Sequence, residues 1–187
     1  MKKTVKLNLG CGPLPLHQQH LTVMGGDLSG WILVDKYVQH EMIKNWDATK
    51  LDEVEDKTAD HIYASHLLEH IPHTDTERVL QLWHQKLVPG GKLTINVPDL
   101  VWACSQLLRL EAGQPLVGYY YEFQGEHGLQ SVFYGSQSHE GEHHHAGFTE
   151  TSVLQTLTKV GFIDIEISAE IDAHDMGVLI ATARKAS

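Results

Sequence analysis

Nine residues near the start constrain the fold more than any others: Val5-Lys6-Leu7-Asn8-Leu9-Gly10-Cys11-Gly12-Pro13. A short apolar run breaks directly into a Gly-x-Gly turn, the pattern of a first strand that ends at a ligand. Glycines there let the backbone approach closely, where a Cβ would collide. A second apolar run, Trp31-Ile32-Leu33-Val34, ends at Asp35, 23 residues beyond Gly12. A ribose-binding acid belongs about 20 residues past such a turn. Two strand ends, the loop Gly10-Cys11-Gly12 and the acid Asp35 together predict a site for a nucleoside-containing cofactor.

The dinucleotide fingerprint needs a third glycine or alanine to seat the following helix against the sheet. That place is Pro15, inside Pro13-Leu14-Pro15-Leu16. Two prolines so close favour an extended loop over a helix start. Without a helix N-terminus a pyrophosphate loses its usual cradle. A nucleoside without phosphates fits better, and S-adenosylmethionine is the common one.

At this point the chain resembles the class I S-adenosylmethionine-dependent methyltransferases. Leu7 to Gly12 is similar to that family's first motif, and Asp35 to its ribose acid. Asn8 stands where many members carry an acid. Asp47-Ala48 resembles the pair beside the adenine. Ala64-Ser65-His66-Leu67-Leu68-Glu69-His70-Ile71 is similar to the segment after the fourth strand, Leu87 to Leu93 to the turn into the fifth, and Thr158 to Phe162 to the turn into the sixth. The matches keep the family's order and span nearly the whole chain. The resemblance implies a Rossmann-like three-layer α/β sandwich, with a mostly parallel seven-stranded sheet ending in an antiparallel hairpin. It also implies cofactor contacts from Asn8, Gly10, Cys11, Gly12 and Asp35. Asp47 and Ala48 would bracket the adenine, and Ser65 and His66 would line the sulfonium side.

Length and patterning agree with a single domain over 1–187, long enough for a full core. The formal net charge of −10 argues against nucleic acid and acidic membranes, which want a basic face. The two cysteines, Cys11 and Cys104, make neither a disulfide framework nor a zinc cluster. No run approaches the ~20 apolar residues of a membrane span. The start Met1-Lys2-Lys3 is followed by a stretch too short and polar for a signal core, and the chain reads as cytoplasmic. Oligomeric state is not legible.

Strand-like and helix-like runs alternate, as in α/β proteins. Asp60 to Ala64 predicts the fourth strand. A helix follows near Asp75, where Thr74 and Glu77 have capping-box spacing and Val79, Leu80, Trp83 and Leu87 share a face. Pro89-Gly90-Gly91 predicts a turn, then a strand over Lys92 to Val97. Pro98-Asp99 opens a helix through about Leu110, closed by Gly113. Pro13 to Gly30 has little helical periodicity, so the first helix is short or missing. Thr149 caps a helix that Gly161 ends. Phe162 to Ser168 and Val178 to Ala183 predict two final strands, joined too tightly for a parallel crossover and therefore antiparallel.

Gln114 to Gly147 is an inserted region, irregular and rich in histidine and glycine, with Tyr119-Tyr120-Tyr121, Phe123, Phe133 and Tyr134. Loops of this length are commonly functional or disordered; the aromatics argue for partial order, and a place over the active-site edge for an acceptor-selecting lid. Methyl transfer needs a general base only when the acceptor must lose a proton, and histidine suits that task near neutral pH. The residues assigned to catalysis are His66, which follows the fourth strand, and His144 and His145 of the cluster His139 to Phe148. For that cluster a solvated loop, an acceptor contact and a metal site on His139, His143 and His145 with Glu140 or Glu142 all stay open. Its spacing matches no recognised zinc motif, so no metal is assigned. Glu69 and His70 read as holding the turn after the fourth strand. Three function classes follow: a methyltransferase for a small-molecule or sugar-like acceptor, a non-catalytic nucleoside-binding module, and a nicotinamide oxidoreductase, the last opposed by Pro15.

Overall fold

Apolar and β-branched runs form seven strands in a computed structural model that describes residues 4–14, 22–26, 28–117, 128–172 and 176–187. They are β1 (Val5–Leu9), β2 (Trp31–Val34), β3 (Ile43–Lys44), β4 (Ala59–Ser65), β5 (Leu87–Pro98), β6 (Phe162–Ile171) and β7 (Gly177–Lys185). Their order in one sheet is β3-β2-β1-β4-β5-β7-β6. Neighbours are parallel from β3 to β5, while β7 runs antiparallel to both β5 and β6. The terminal hairpin is the one the short connection requires. The order reverses at β1, so the ends of β1, β2 and β4 surround the crevice where such sheets bind ligands.

Side-chain alternation puts a core on each face of the sheet. Leu7, Leu9, Val34, Ile62 and Ala64 join Val79, Leu80 and Trp83 of helix α1 (Thr76–Lys86) and Val153 and Leu157 of helix α3 (Glu150–Val160). Leu33 and Ile43 pack with Met24 and Cys11 in a second cluster. Both faces are therefore covered, as a three-layer sandwich requires. Helix α2 (Leu100–Glu111) is capped by Asp99, whose carboxylate accepts from the Val101 N–H.

Two local expectations are corrected. The Thr74–Glu77 capping box does not form. Asp75 is the N-cap and has helical φ and ψ of −101° and −12°, with no side-chain cap bond. A cap side chain needs the extended conformation there, which the preceding turn (Asp75 N–H to Pro72 O, 2.7 Å) does not allow. Pro89-Gly90-Gly91 does not end a turn before β5 but lies within it. Opposite Ala59 and His61 the β5 partners jump from Leu87 to Lys92, so the glycines form a bulge.

In the insertion, residues 128–134 are helical. Val132 and Phe133 pack on Trp102, Ala103, Leu116 and Met176, a small core of their own. Tyr119 to Tyr121 and Phe123 lie outside the described residues, as does Pro15. The chain leaves the sheet at Asp99 and returns at Phe148, which form an isolated parallel bridge; the Leu100 N–H donates to Phe148 O at 2.9 Å. Among the described residues no helix is long and apolar enough to cross a membrane.

Candidate functional site

The glycine loop is tied to the end of β2. Cys11 N–H donates to Val34 O at 3.1 Å and Gly12 N–H to Asp35 Oδ2 at 3.0 Å. Asp35 Oδ1 accepts from the Tyr37 and Val38 N–H groups at 2.9 and 3.0 Å. The two glycines answer different needs. A Cβ on Gly10 would stand 3.0 Å from Leu67 Cδ1, so its space is taken by the turn after β4 and not by a ligand. At Gly12, with φ +68°, a Cβ would meet nothing within 4 Å, so this side of the loop is open. Cys11 turns inward; burial, then the Asp35 charge, push its thiol pKa up to about 12. Asn8 is wholly buried, and its Nδ2 donates to Met24 Sδ at 3.4 Å. Its side chain thus faces the second core cluster, bracing 22–26.

Beyond β3, Asp47 Oδ1 accepts from Thr49 N–H and Oγ1 at 2.9 and 2.7 Å. Its Oδ2 lies 3.6 Å from Lys36 Nζ and 3.9 Å from Lys50 Nζ. Burial pushes this carboxyl up, but the Thr49 bonds and the two lysines outweigh it and hold its pKa below the ordinary value. Ala48 is buried and its carbonyl accepts from Trp83 Nε1 at 2.8 Å. Asn45, which carried no signal in the sequence, ties this corner to the Asp35 loop: its Nδ2 donates to Asp35 O at 2.8 Å and Val38 O at 2.9 Å.

At the end of β4, Ser65 is buried and accepts from Asn96 Nδ2 at 3.3 Å. His66 adopts φ +50° and is clasped between two carboxylates: Nδ1 is 3.2 Å from Glu69 Oε1 and Nε2 is 3.6 Å from Asp172 Oδ2. Burial opposes a charge on this ring, but Asp172 and Glu69 overcome it and raise its pKa to about 10. With both nitrogens facing carboxylates, the surroundings of His66 favour its protonated form. Asp172, in the β6–β7 connection, was not foreseen.

Glu69 is 1% exposed. Burial pushes its carboxyl up, while His66, His70 and His144 pull it below its ordinary value. Its main-chain carbonyl accepts from the N–H groups of His145 and Ala146 at 2.7 and 3.1 Å, which seats the histidine-rich segment on the turn after β4. His144 is half-buried, edge-on to His70 with ring centroids 4.8 Å apart, and its Nδ1 bonds Val132 O at 2.9 Å. Burial holds its pKa below the ordinary value. His145 is exposed and stacks on His143 at 6.2 Å. His139 is occupied elsewhere: its Nδ1 accepts from Gly141 N–H at 3.1 Å and its ring lies 5.5 Å from that of Tyr37. Two groups thus emerge, Gly12-Asp35-Asn45-Asp47 on one side of β1 and His66-Glu69-His70-His144 on the other, with Gly10 and Leu67 between them.

The profile of a methyltransferase domain family matches residues 9–166. No curated protein matches the chain in sequence. Among solved structures, the chain is similar to Burkholderia thailandensis 1,6-didemethyltoxoflavin-N1-methyltransferase, solved with 1,6-didemethyltoxoflavin and S-adenosylhomocysteine. The TM-score is 0.63 at 16% identity, over all of this chain and 72% of that one. A Methanosarcina mazei S-adenosylmethionine-dependent methyltransferase gives 0.62 at 16% identity, over all of this chain and 94% of that one. Haemonchus contortus phosphoethanolamine N-methyltransferase 2, solved with phosphomonomethylethanolamine and S-adenosylhomocysteine, gives 0.56 at 15% identity. This chain covers half of that one. At these identities the likeness is one of fold.

Proposed function

The chain belongs to the methyltransferase domain family, and we propose that it moves the methyl group of S-adenosylmethionine onto a small-molecule or sugar-like acceptor. The observation that carries this reading is the Asp35 carboxylate, fixed by three main-chain N–H groups beside the open side of Gly12. A carboxylate has about four acceptor positions. One at Asp35 Oδ2 is taken by Gly12, which leaves room for a ribose hydroxyl. The residues present therefore fit the nucleoside. Asp35 would hold the ribose, Gly10 to Gly12 would run beneath the amino-acid part, and Asp47 and Ala48 would flank the adenine.

The bound cofactor supplies the chemistry, a methyl on a sulfonium with a good leaving group, and the protein supplies position and a dry site. Ser65 and His66 stand where the sulfonium side would be. His66, clasped by Glu69 and Asp172, would present a fixed charge that orients the acceptor. His144 is half-buried on the same rim and His145 lies outside it. The insertion 114–147 would set acceptor choice. Two similar structures hold small-molecule acceptors of their own, and the net charge of −10 disfavours nucleic acid.

The test is calorimetric titration of the chain with S-adenosylmethionine, S-adenosylhomocysteine and NAD in parallel, followed by turnover against candidate acceptors. Binding of the first two alone is expected. Binding of NAD alone would overturn the reading, and cofactor binding without turnover on any acceptor would favour a non-catalytic module.

A further inference from the structure

We propose that Glu69, His70 and His144 form a binding site for a divalent transition-metal ion of the zinc class. The site sits where the histidine-rich segment meets the turn after β4, and it stands independently of methyl transfer.

Three observations carry it. One ligand atom from each of the three side chains lies within 4.8 Å of the other two. Both rings already use Nδ1 on main-chain carbonyls, His70 on His143 O at 3.1 Å and His144 on Val132 O at 2.9 Å. A carbonyl accepts, so each Nδ1 carries the proton and each Nε2 keeps its lone pair. Metal-binding histidines are oriented in this way by an outer partner on the other nitrogen. Third, the Glu69 carboxylate is buried, and its Oε2 has no hydrogen-bond partner among the described residues. The His66 contact is on Oε1. With Nδ1 of each ring engaged, each Nε2 and Glu69 Oε2 are the atoms left to take a cation at this cluster.

Two imidazoles and a carboxylate are a donor set for zinc or ferrous iron that leaves coordination positions open. Metal–ligand bonds of about 2.0–2.1 Å bring ligand atoms to about 3.4 Å apart in a tetrahedral site, so small side-chain rotations close the cluster. A small cavity lined by Glu69, His144, Pro98, Leu100, Val132 and Phe148 adjoins it, giving an open position somewhere to face. His66 and Asp172 would then act as outer partners that hold Glu69 in place. The metal alternative read from the sequence used His139, His143 and His145; the structure instead assembles one residue of that cluster with two from the turn after β4.

The experiment is titration of the chelator-treated chain with Zn²⁺ by calorimetry and with Co²⁺ by visible absorption. Wild type, His70→Gln, His144→Gln and the double variant His143→Gln/His145→Gln are compared. Expected are one equivalent bound by wild type and by the double variant, and affinity lower by more than about a hundredfold in each single variant. No saturable uptake by wild type would overturn the site. So would undiminished affinity in both single variants, or a loss confined to the double variant, which would place the ion on exposed histidines. Should a single variant fail to fold, imidazole nitrogen resonances of wild type decide. Nε2 of His70 and His144 must shift at one equivalent of Zn²⁺, and unmoved signals refute the site.

Discussion

Asp35 has two duties that different substitutions separate. Asp35→Ala strips the acceptor from three main-chain N–H groups, those of Gly12, Tyr37 and Val38. A hydrogen bond to a charged group is worth about 1.5–3 kcal/mol. The Tyr37 bond is exposed and the other two only partly buried, so water replaces much of that. A loss of about 2–4 kcal/mol in urea unfolding follows. Asp35→Asn keeps an oxygen toward Tyr37 and Val38 and disturbs only the Gly12 contact, costing about 1–2 kcal/mol. Both variants lose the charge that a ribose diol would bond. S-adenosylhomocysteine should bind Asp35→Asn about a hundredfold more weakly, the equivalent of ~2.7 kcal/mol. Calorimetry on Asp35→Asn, paired with urea melts of both variants, reads the two duties apart. Full affinity in Asp35→Asn would show that the acid only anchors the loop. Wild-type stability in Asp35→Ala would refute the three-bond tie.

Three further outcomes are expected. Burial, then Lys92, Lys6 and Arg184, push the His61 pKa down to about 4. The folded state then binds this proton less readily than the unfolded chain, so its stabilisation is complete above about pH 6.5 and is lost as pH falls toward 4. Near pH 5 the deficit is about 1–2 kcal/mol, and His61→Gln should flatten the unfolding free energy between about pH 7 and 5 relative to wild type; an unchanged slope would refute it. Gly135 has φ +77°, and a Cβ there would lie 1.7 Å from Glu142 O, so Gly135→Ala must displace the strand of chain that carries His144. The left-handed conformation alone costs about 1–2 kcal/mol; amide exchange should quicken at His144, His145 and Ala146 but not in β4, and unaltered exchange there would count against the packing. Native alkylation should modify exposed Cys104 and spare buried Cys11, so that Cys104→Ser is labelled only in denaturant; native labelling of that variant would contradict the burial.

What the sequence made legible was local or periodic. The Gly10–Gly12 turn and its tie to Asp35 stand out because strand ends, glycines and an acid fall at the spacing of a nucleoside-binding turn. Thr149 and Gly161 announce α3 because capping is decided within a few residues; the side chain of Thr149 accepts from Ser152 N–H and Gly161 has φ +100°. The antiparallel hairpin follows from the shortness of its connection. What stayed hidden depends on the chain returning to itself. Asp172 reaches His66 from the far end of the sheet, and no residue near either one signals the contact. His144 meets His70 only because Glu69 O catches the His145 and Ala146 amides. The contact of Asn8 with Met24 is set by pleat parity and by a segment 16 residues away, which its place in the motif does not reveal. The surroundings of His66 stayed hidden because a ring's chemistry is set by what stands on both of its sides, and only one of those neighbours, Glu69, is nearby in sequence.

The bridge between Asp99 and Phe148 has a consequence for how proteins of this design can diversify. The chain departs from the sheet and rejoins it at adjacent points, so everything between hangs from a closed neck. Helix α2 lies inside that excursion and packs through Trp102 on Gly177 at the start of β7, so the part free to vary is the chain beyond α2, where the entropy of closing a longer or shorter loop changes only slowly with its length. If the insertion selects the acceptor as proposed, grafting a different segment between residues 113 and 147 is a route to new acceptors that keeps α2 and the Asp99–Phe148 bridge in place.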